Sequence, residues 1–140
     1  MSDTTRPTRT PPTGTPLTGT LPKRVILELG SGNDLHGGDY TKAAIRAVQD
    51  AIHHSSLSII RSLGLDSRKM LVDVTIGVQR PDKVDAEAVK ATLPHGTVSV
   101  RVVKGGLDVP PDSIGETSGD TAVIASAAIA VRLALPQPAG

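Results

Sequence analysis

The fold turns on residues 121–135, TAVIASAAIAVRLAL, a stretch that is apolar except at Thr121, Ser126 and Arg132. With Asp120 before it as an N-cap, it reads as a C-terminal helix. A surface helix keeps a polar face, whereas this one would be apolar around most of its circumference. One small sheet cannot cover every side of it, and its alanines permit close helix approach. The expectation is a subunit interface, and hence a symmetric homo-oligomer.

Working back along the chain, TVSVRVVK (97–104) alternates, with Val98, Val100 and Val102 on one face. So does MLVDVTIGVQ (70–79), with Val72, Val74, Ile76 and Val78 opposite Asp73 and Thr75; both runs read as strands. Between them, Asp85 to Leu93 reads as a short helix stopped by Pro94 and Gly96. From Asp39 or Tyr40 to about Leu63, the apolar residues Ala44, Ile45, Val48, Ala51 and Ile52 follow helical spacing. KRVILEL (23–29) is a β-rich run ended by glycine, which predicts a buried strand. The segment 105–120, GGLDVPPDSIGETSGD, is too rich in glycine and proline for regular structure. The order strand, helix, strand, short helix, strand, helix predicts a single small α/β domain with three or more strands, two main helices and one short helix.

The bulk composition narrows the function. Fifteen Lys and Arg against fourteen Asp and Glu leave the chain almost neutral, with no basic block to track a phosphate backbone. Tyr40 is the one aromatic, so a stacking platform for single-stranded nucleic acid is missing. Nucleic acid is not an expected partner. Nor is a membrane, since no run of about 18 apolar residues occurs. The absence of cysteine removes disulfides and thiolate chemistry, and fits a cytoplasmic protein. The first 22 residues, dominated by threonine and proline, cannot bury enough apolar surface to offset the entropy of ordering. They are expected to be a disordered extension, followed by one domain over 23–136 and a tail at 137–140.

Between the first strand and the first helix lies GSGNDLHGGDYTK, Gly30 to Lys42. A glycine-rich turn at this junction exposes backbone N–H groups at the positive end of a helix, where anions bind. The dinucleotide and P-loop fingerprints are both absent, because Leu35 and Gly37-Gly38-Asp39 stand where those motifs need other residues. Gly30, Gly32, Asn33, Gly37, Asp39 and Lys42 are the expected ligand-binding residues of this loop, joined by Glu116 from the second glycine-rich segment. His36 is the candidate acid or base, since its reference pKa of about 6.5 lies near working pH. Asp34 would orient His36 or join it on a divalent metal such as Zn, Mn or Fe. The plainer alternatives are that Asp39 caps the helix and that Asp34 and Asn33 are ordinary turn residues. If the outer strands run parallel, both loops meet at the carboxyl ends of strands, where open α/β sheets bind ligands.

Gly30-Ser31-Gly32-Asn33-Asp34-Leu35-His36-Gly37 matches GxGxDxHG, and the chain from Lys23 to Leu135 resembles a small conserved hypothetical family of bacteria and plants, the "Lin" family. That resemblance marks Gly30, Gly32, Asp34, His36 and Gly37 as signature residues and implies no chemistry. GSGNDLHGGDYTK, VRVVKGGL and TSGDTAVIASAAIAVRLAL also occur in the order of similar segments in one repeat of the ring-opening amidohydrolases, the cyanuric acid hydrolase and barbiturase group. This second resemblance implies a cyclic-amide hydrolase in which Lys104, of lowered pKa, serves as base toward a nucleophilic Ser118. Ser31 or a gap stands where that group's first lysine falls, and Gly105-Gly106 replaces its Cys-Pro. The leading expectation is a homo-oligomeric enzyme of hydrolase or lyase type acting on a small polar metabolite. The competing class is a non-enzymatic ligand-binding or scaffold oligomer.

Overall fold

A computed structural model describes residues 21–53, 62, 64, 66–93, 96–111 and 120–134. In chain order these form β1 (Lys23–Asp34), α1 (Tyr40–His53), β2 (Leu71–Val78), α2 (Ala86–Lys90), β3 (Thr97–Lys104), β4 (Leu107–Val109) and β5 (Ala122–Leu133), with short 3-10 turns at Ser67–Lys69 and Pro81–Lys83. The sheet runs β1-β5-β2-β3, with β4 also paired to β5.

The C-terminal segment is therefore a strand, and the central one. Val123, Ala125, Ala127, Ile129, Val131 and Leu133 are buried on the helix side. Ile124, Ser126, Ala128, Ala130 and Arg132 alternate with them. The period is two, but small apolar residues occupy both faces and hide it, as happens in strands lacking a polar side. Asp120 caps no helix. The apolar circumference that pointed to a subunit interface is instead two sheet faces, so the homo-oligomer loses that basis.

β1 is longer than its apolar run implied, continuing through Gly30 and Gly32 to Asp34. A Cβ on Gly30 would meet the backbone of Ala47 and Ala51, and one on Gly32 the backbone of Ala43, Arg46 and Ala47. The two glycines are the seat of α1, whose Ala43, Ala44, Ala47, Val48 and Ala51 are buried against the sheet. Glycine on the strand and alanine on the helix bring the two backbones close without voids. The helix also completes the free edge of β1. Asp50 accepts from the Ser31 N–H at 2.9 Å, and Arg46 donates to the Asn33 carbonyl at 2.7 Å. Such pairing blunts an edge strand.

Both alternating runs are strands as expected, and α2 occupies part of 85–93 with Asp85 as its N-cap. The expected continuation of α1 to Leu63 lies largely outside the described residues. Part of the glycine-rich segment after β3 is regular: Leu107, Asp108 and Val109 pair with Ile124, Val123 and Ala122. Gly105 and Gly106 make that return possible, because Gly106 has φ 62° and a Cβ on it would strike the Ile124 and Gly77 carbonyls. β1 and β2 each run antiparallel to β5, and β3 runs parallel to β2. β1, β2 and β3 thus share one direction, with their carboxyl ends at one edge. Among the described residues, no helix is long and apolar enough to cross a membrane.

Candidate functional site

The chain leaves β1 at Asp34 and enters α1 at Tyr40, turning through Gly37 (φ 98°) and Gly38 (φ 60°). Asp34 is the buried charged residue of the described chain. Its carboxylate accepts the Asp39 N–H at 2.8 Å and lies 3.8 Å from Arg46 and 4.0 Å from Lys42. Asp39 in turn accepts the Lys42 N–H at 3.0 Å, capping α1. Asp34, Asp39 and Lys42 clamp the loop to the helix, with Asp39 in the capping place that was the plainer reading of it.

His36 takes a different direction. Its side chain is 83% exposed, and its Nδ1 lies 4.0 Å from a carboxylate oxygen of Asp120. Asp120 thus lies near the imidazole, at a separation longer than a hydrogen bond. Among the described residues, no three His, Asp or Glu groups converge to hold a metal ion. Lys104 ends β3, paired in register with Val78, whereas Glu116 and Ser118 lie outside the described residues. The lysine-serine dyad therefore has no described geometry. Gly30, Gly32 and Asn33 belong to β1, and only Gly37 of the expected binding glycines reaches the cavity described next.

Beyond this loop, at the carboxyl ends of β1 and β2, a cavity of about 350 Å³ is lined by Gly37, Gly38, Tyr40, Arg80, Asp108, Asp120 and Thr121. Its residues come from five places in the chain: the 35–39 loop, the first turn of α1, the end of β2, the short β4 and the start of β5. Tyr40 donates its hydroxyl to Asp108 Oδ2 at 2.5 Å. The other carboxylate oxygen of Asp108, Oδ1, is buried without a hydrogen-bond partner among the described residues. A buried acceptor left unpaired is costly, of order 1–3 kcal/mol. Sequence reasoning missed Tyr40, Arg80, Asp108 and Thr121 as site residues. One signal was available for Asp108, an acid set between Leu107 and Val109 where the chain rejoins the sheet.

The hydrogen bond to Asp108 raises the Tyr40 pKa above 10.0, with burial and the Asp108 charge adding to the rise and Arg80 opposing it. A raised folded-state pKa contributes stability that is complete below the unfolded value near 10 and is lost as pH rises through the folded value. Tyr40 is the sole tyrosine and tryptophan is absent, so ultraviolet absorbance reads this group alone. The expected titration midpoint lies above 10 and returns toward 10 in Asp108→Asn. Alkaline unfolding should show less pH dependence in Tyr40→Phe. A parent midpoint at or below 10 would exclude the Tyr40–Asp108 bond.

A family model described as "Conserved hypothetical protein (Lin0512_fam)" matches residues 24–131. Among solved structures, the chain is similar to an FtsZ-like protein of unknown function from Nostoc punctiforme. The two are 37% identical at a TM-score of 0.71, over 84% of this chain and 100% of the other. No curated protein matches. The segment set against a late helix of the ring-opening amidohydrolases is β5, so the geometry gives that likeness no support.

Proposed function

The chain belongs to the Lin0512 family of conserved hypothetical proteins, and from that footing we propose that it is an enzyme acting on a small polar metabolite in the Tyr40–Asp108 cavity. The observation that carries this reading is Asp108 Oδ1, buried and without a partner among the described residues, in a wall shared with Arg80 and Tyr40. An amine or hydroxyl of the ligand satisfies that oxygen, and the Arg80 guanidinium offers a forked donor to a carboxylate or carbonyl on the same molecule. The cavity size supports a small metabolite, since ligand pockets start at about 300 Å³. His36, beside Asp120 near the cavity, is the group suited to proton transfer in a hydrolase or lyase reaction.

A binding protein without catalysis is the second reading, favoured by the 83% exposure of His36, which leaves the imidazole in water. Incubation of the full chain with a pool of amino-acid-like and hydroxy-acid metabolites, followed by mass spectrometry, separates the two. The enzyme reading expects turnover that falls about 100-fold or more in His36→Gln. It also expects turnover to fail in Asp108→Asn through lost binding. Saturable binding without consumption, unchanged in His36→Gln, would establish the binding protein.

A further inference from the structure

The face of the sheet turned away from α1 carries a second constellation, set by a defect in β1. Along that strand Ile26, Gly32 and Asp34 stand opposite Val131, Ala125 and Val123, all on the helix side. Strict alternation would therefore turn Arg24 toward the helices as well. The register shifts between Arg24 and Ile26, and Arg24 stands directly opposite Arg132, on the open face. Bulges re-aim side chains in this way next to functional sites. Like charges directly opposite on one sheet face are destabilising, so the re-aimed arginine works against the fold of the free chain.

Arg24, Arg101 and Arg132 line one groove of about 430 Å³, together with Asp73, Thr75 and Ser99. Asp73, the one acid among the lining residues, accepts from Arg132 Nε at 3.0 Å. Alanines 128 and 130 form part of the lining and leave room above the sheet. The groove is on a different face from α1, toward the amino end of β1, and none of its residues lines the Tyr40 cavity.

We propose that this groove binds a small polyanion, a phosphoryl or polycarboxylate metabolite, clasped between Arg24 and Arg101 over Arg132. Planar guanidinium forks match phosphate and carboxylate oxygens two at a time, and the volume suits a small molecule. The anion removes the Arg24–Arg132 repulsion that the bulge creates. Asp73 holds Arg132 in place and tempers the affinity.

Isothermal titration of the full chain with pyrophosphate and with citrate, against sodium chloride of equal ionic strength, tests the proposal. One-to-one saturable binding of at least one anion is expected, weakened tenfold or more in R24Q and in R101Q and tightened several-fold in D73N. Preference for pyrophosphate assigns the phosphoryl class, and preference for citrate assigns the carboxylate class. Both arginine variants should melt at or above the parent temperature, which keeps a loss of binding distinct from a loss of fold. No saturable binding of either anion at millimolar concentration would overturn the proposal. So would equal binding in the R24Q/R101Q double variant, or a self-association that buries the face and leaves no anion bound.

Discussion

Gly32→Ala lowers the melting temperature by roughly 12–24 °C or abolishes the cooperative transition, taking about 3 kcal/mol at 4–8 °C per kcal/mol. The added Cβ falls 2.5 Å from the Ala43 carbonyl oxygen and 2.6 Å from the Arg46 carbonyl carbon, and closer still to the Ala47 nitrogen. These are helix backbone atoms, so no rotamer change relieves the clash. α1 has to lift from the sheet, which uncovers Ala43, Ala44, Ala47, Val48 and Ala51 together. Gly77→Ala is the internal comparison. Its Cβ would come no nearer than 3.3 Å, to Gly105 Cα in a turn, and the expected loss is about 1 kcal/mol. Circular dichroism melts of the two variants should therefore differ by roughly 8–16 °C. A Gly32→Ala protein that melts within a few degrees of the parent would mean that α1 does not sit on the strand glycines.

Asp34→Ala is expected to cost about 2–3 kcal/mol, and Asp34→Asn less than about 1 kcal/mol. The carboxylate is buried, but its cations are not: the Lys42 side chain is 52% exposed and that of Arg46 is 46% exposed. Exposed partners at 3.8 and 4.0 Å contribute little each in water. The larger share comes from the 2.8 Å bond from the Asp39 N–H, which asparagine keeps through its amide oxygen and alanine removes. Denaturant melts of both variants measure the gap. Equal losses would show that the ion pairs, not the backbone hydrogen bond, hold the loop. With the loop released, Gly37 and Gly38 shift in the cavity wall, so Asp34→Ala should also weaken ligand binding while Asp34→Asn retains it.

The parts of this fold visible in the sequence are those where polarity follows geometry. β2 sets Val72, Val74, Ile76 and Val78 against Asp73 and Thr75, and the pleat leaves no other reading. The first helix showed itself the same way. β5 did not, because as the central strand it has neighbours on both sides and presents Ala128 and Ala130 outward where a polar residue would have marked the face. Gly30 and Gly32 looked like loop residues because close helix–strand packing and a phosphate-binding turn both need missing Cβ atoms. Only the partner, here α1, tells the two apart.

The candidate site was half legible for a related reason. Asp34, His36 and Gly37 fall within four consecutive residues, and the junction of strand and helix announced them. Arg80, Asp108 and Thr121 meet only because β1, β2 and β3 point the same way and β4 takes the place beside the start of β5. No local spacing encodes that meeting. The acid expected to serve His36 was the nearest in sequence, Asp34, and the approach of Asp120 to within 4.0 Å of the imidazole from across the sheet edge has no local signal.

Ligands are expected to enter the cavity lined by Tyr40, Arg80 and Asp108. The most direct measurement is a backbone-amide NMR titration of the full chain with small amine- and hydroxyl-bearing acids. Shifts are expected to cluster at Gly37, Gly38, Tyr40, Arg80, Asp108 and Thr121 and to vanish in Asp108→Asn while the rest of the spectrum is preserved. Binding whose shifts fall elsewhere, or that survives Asp108→Asn unchanged, would contradict that expectation.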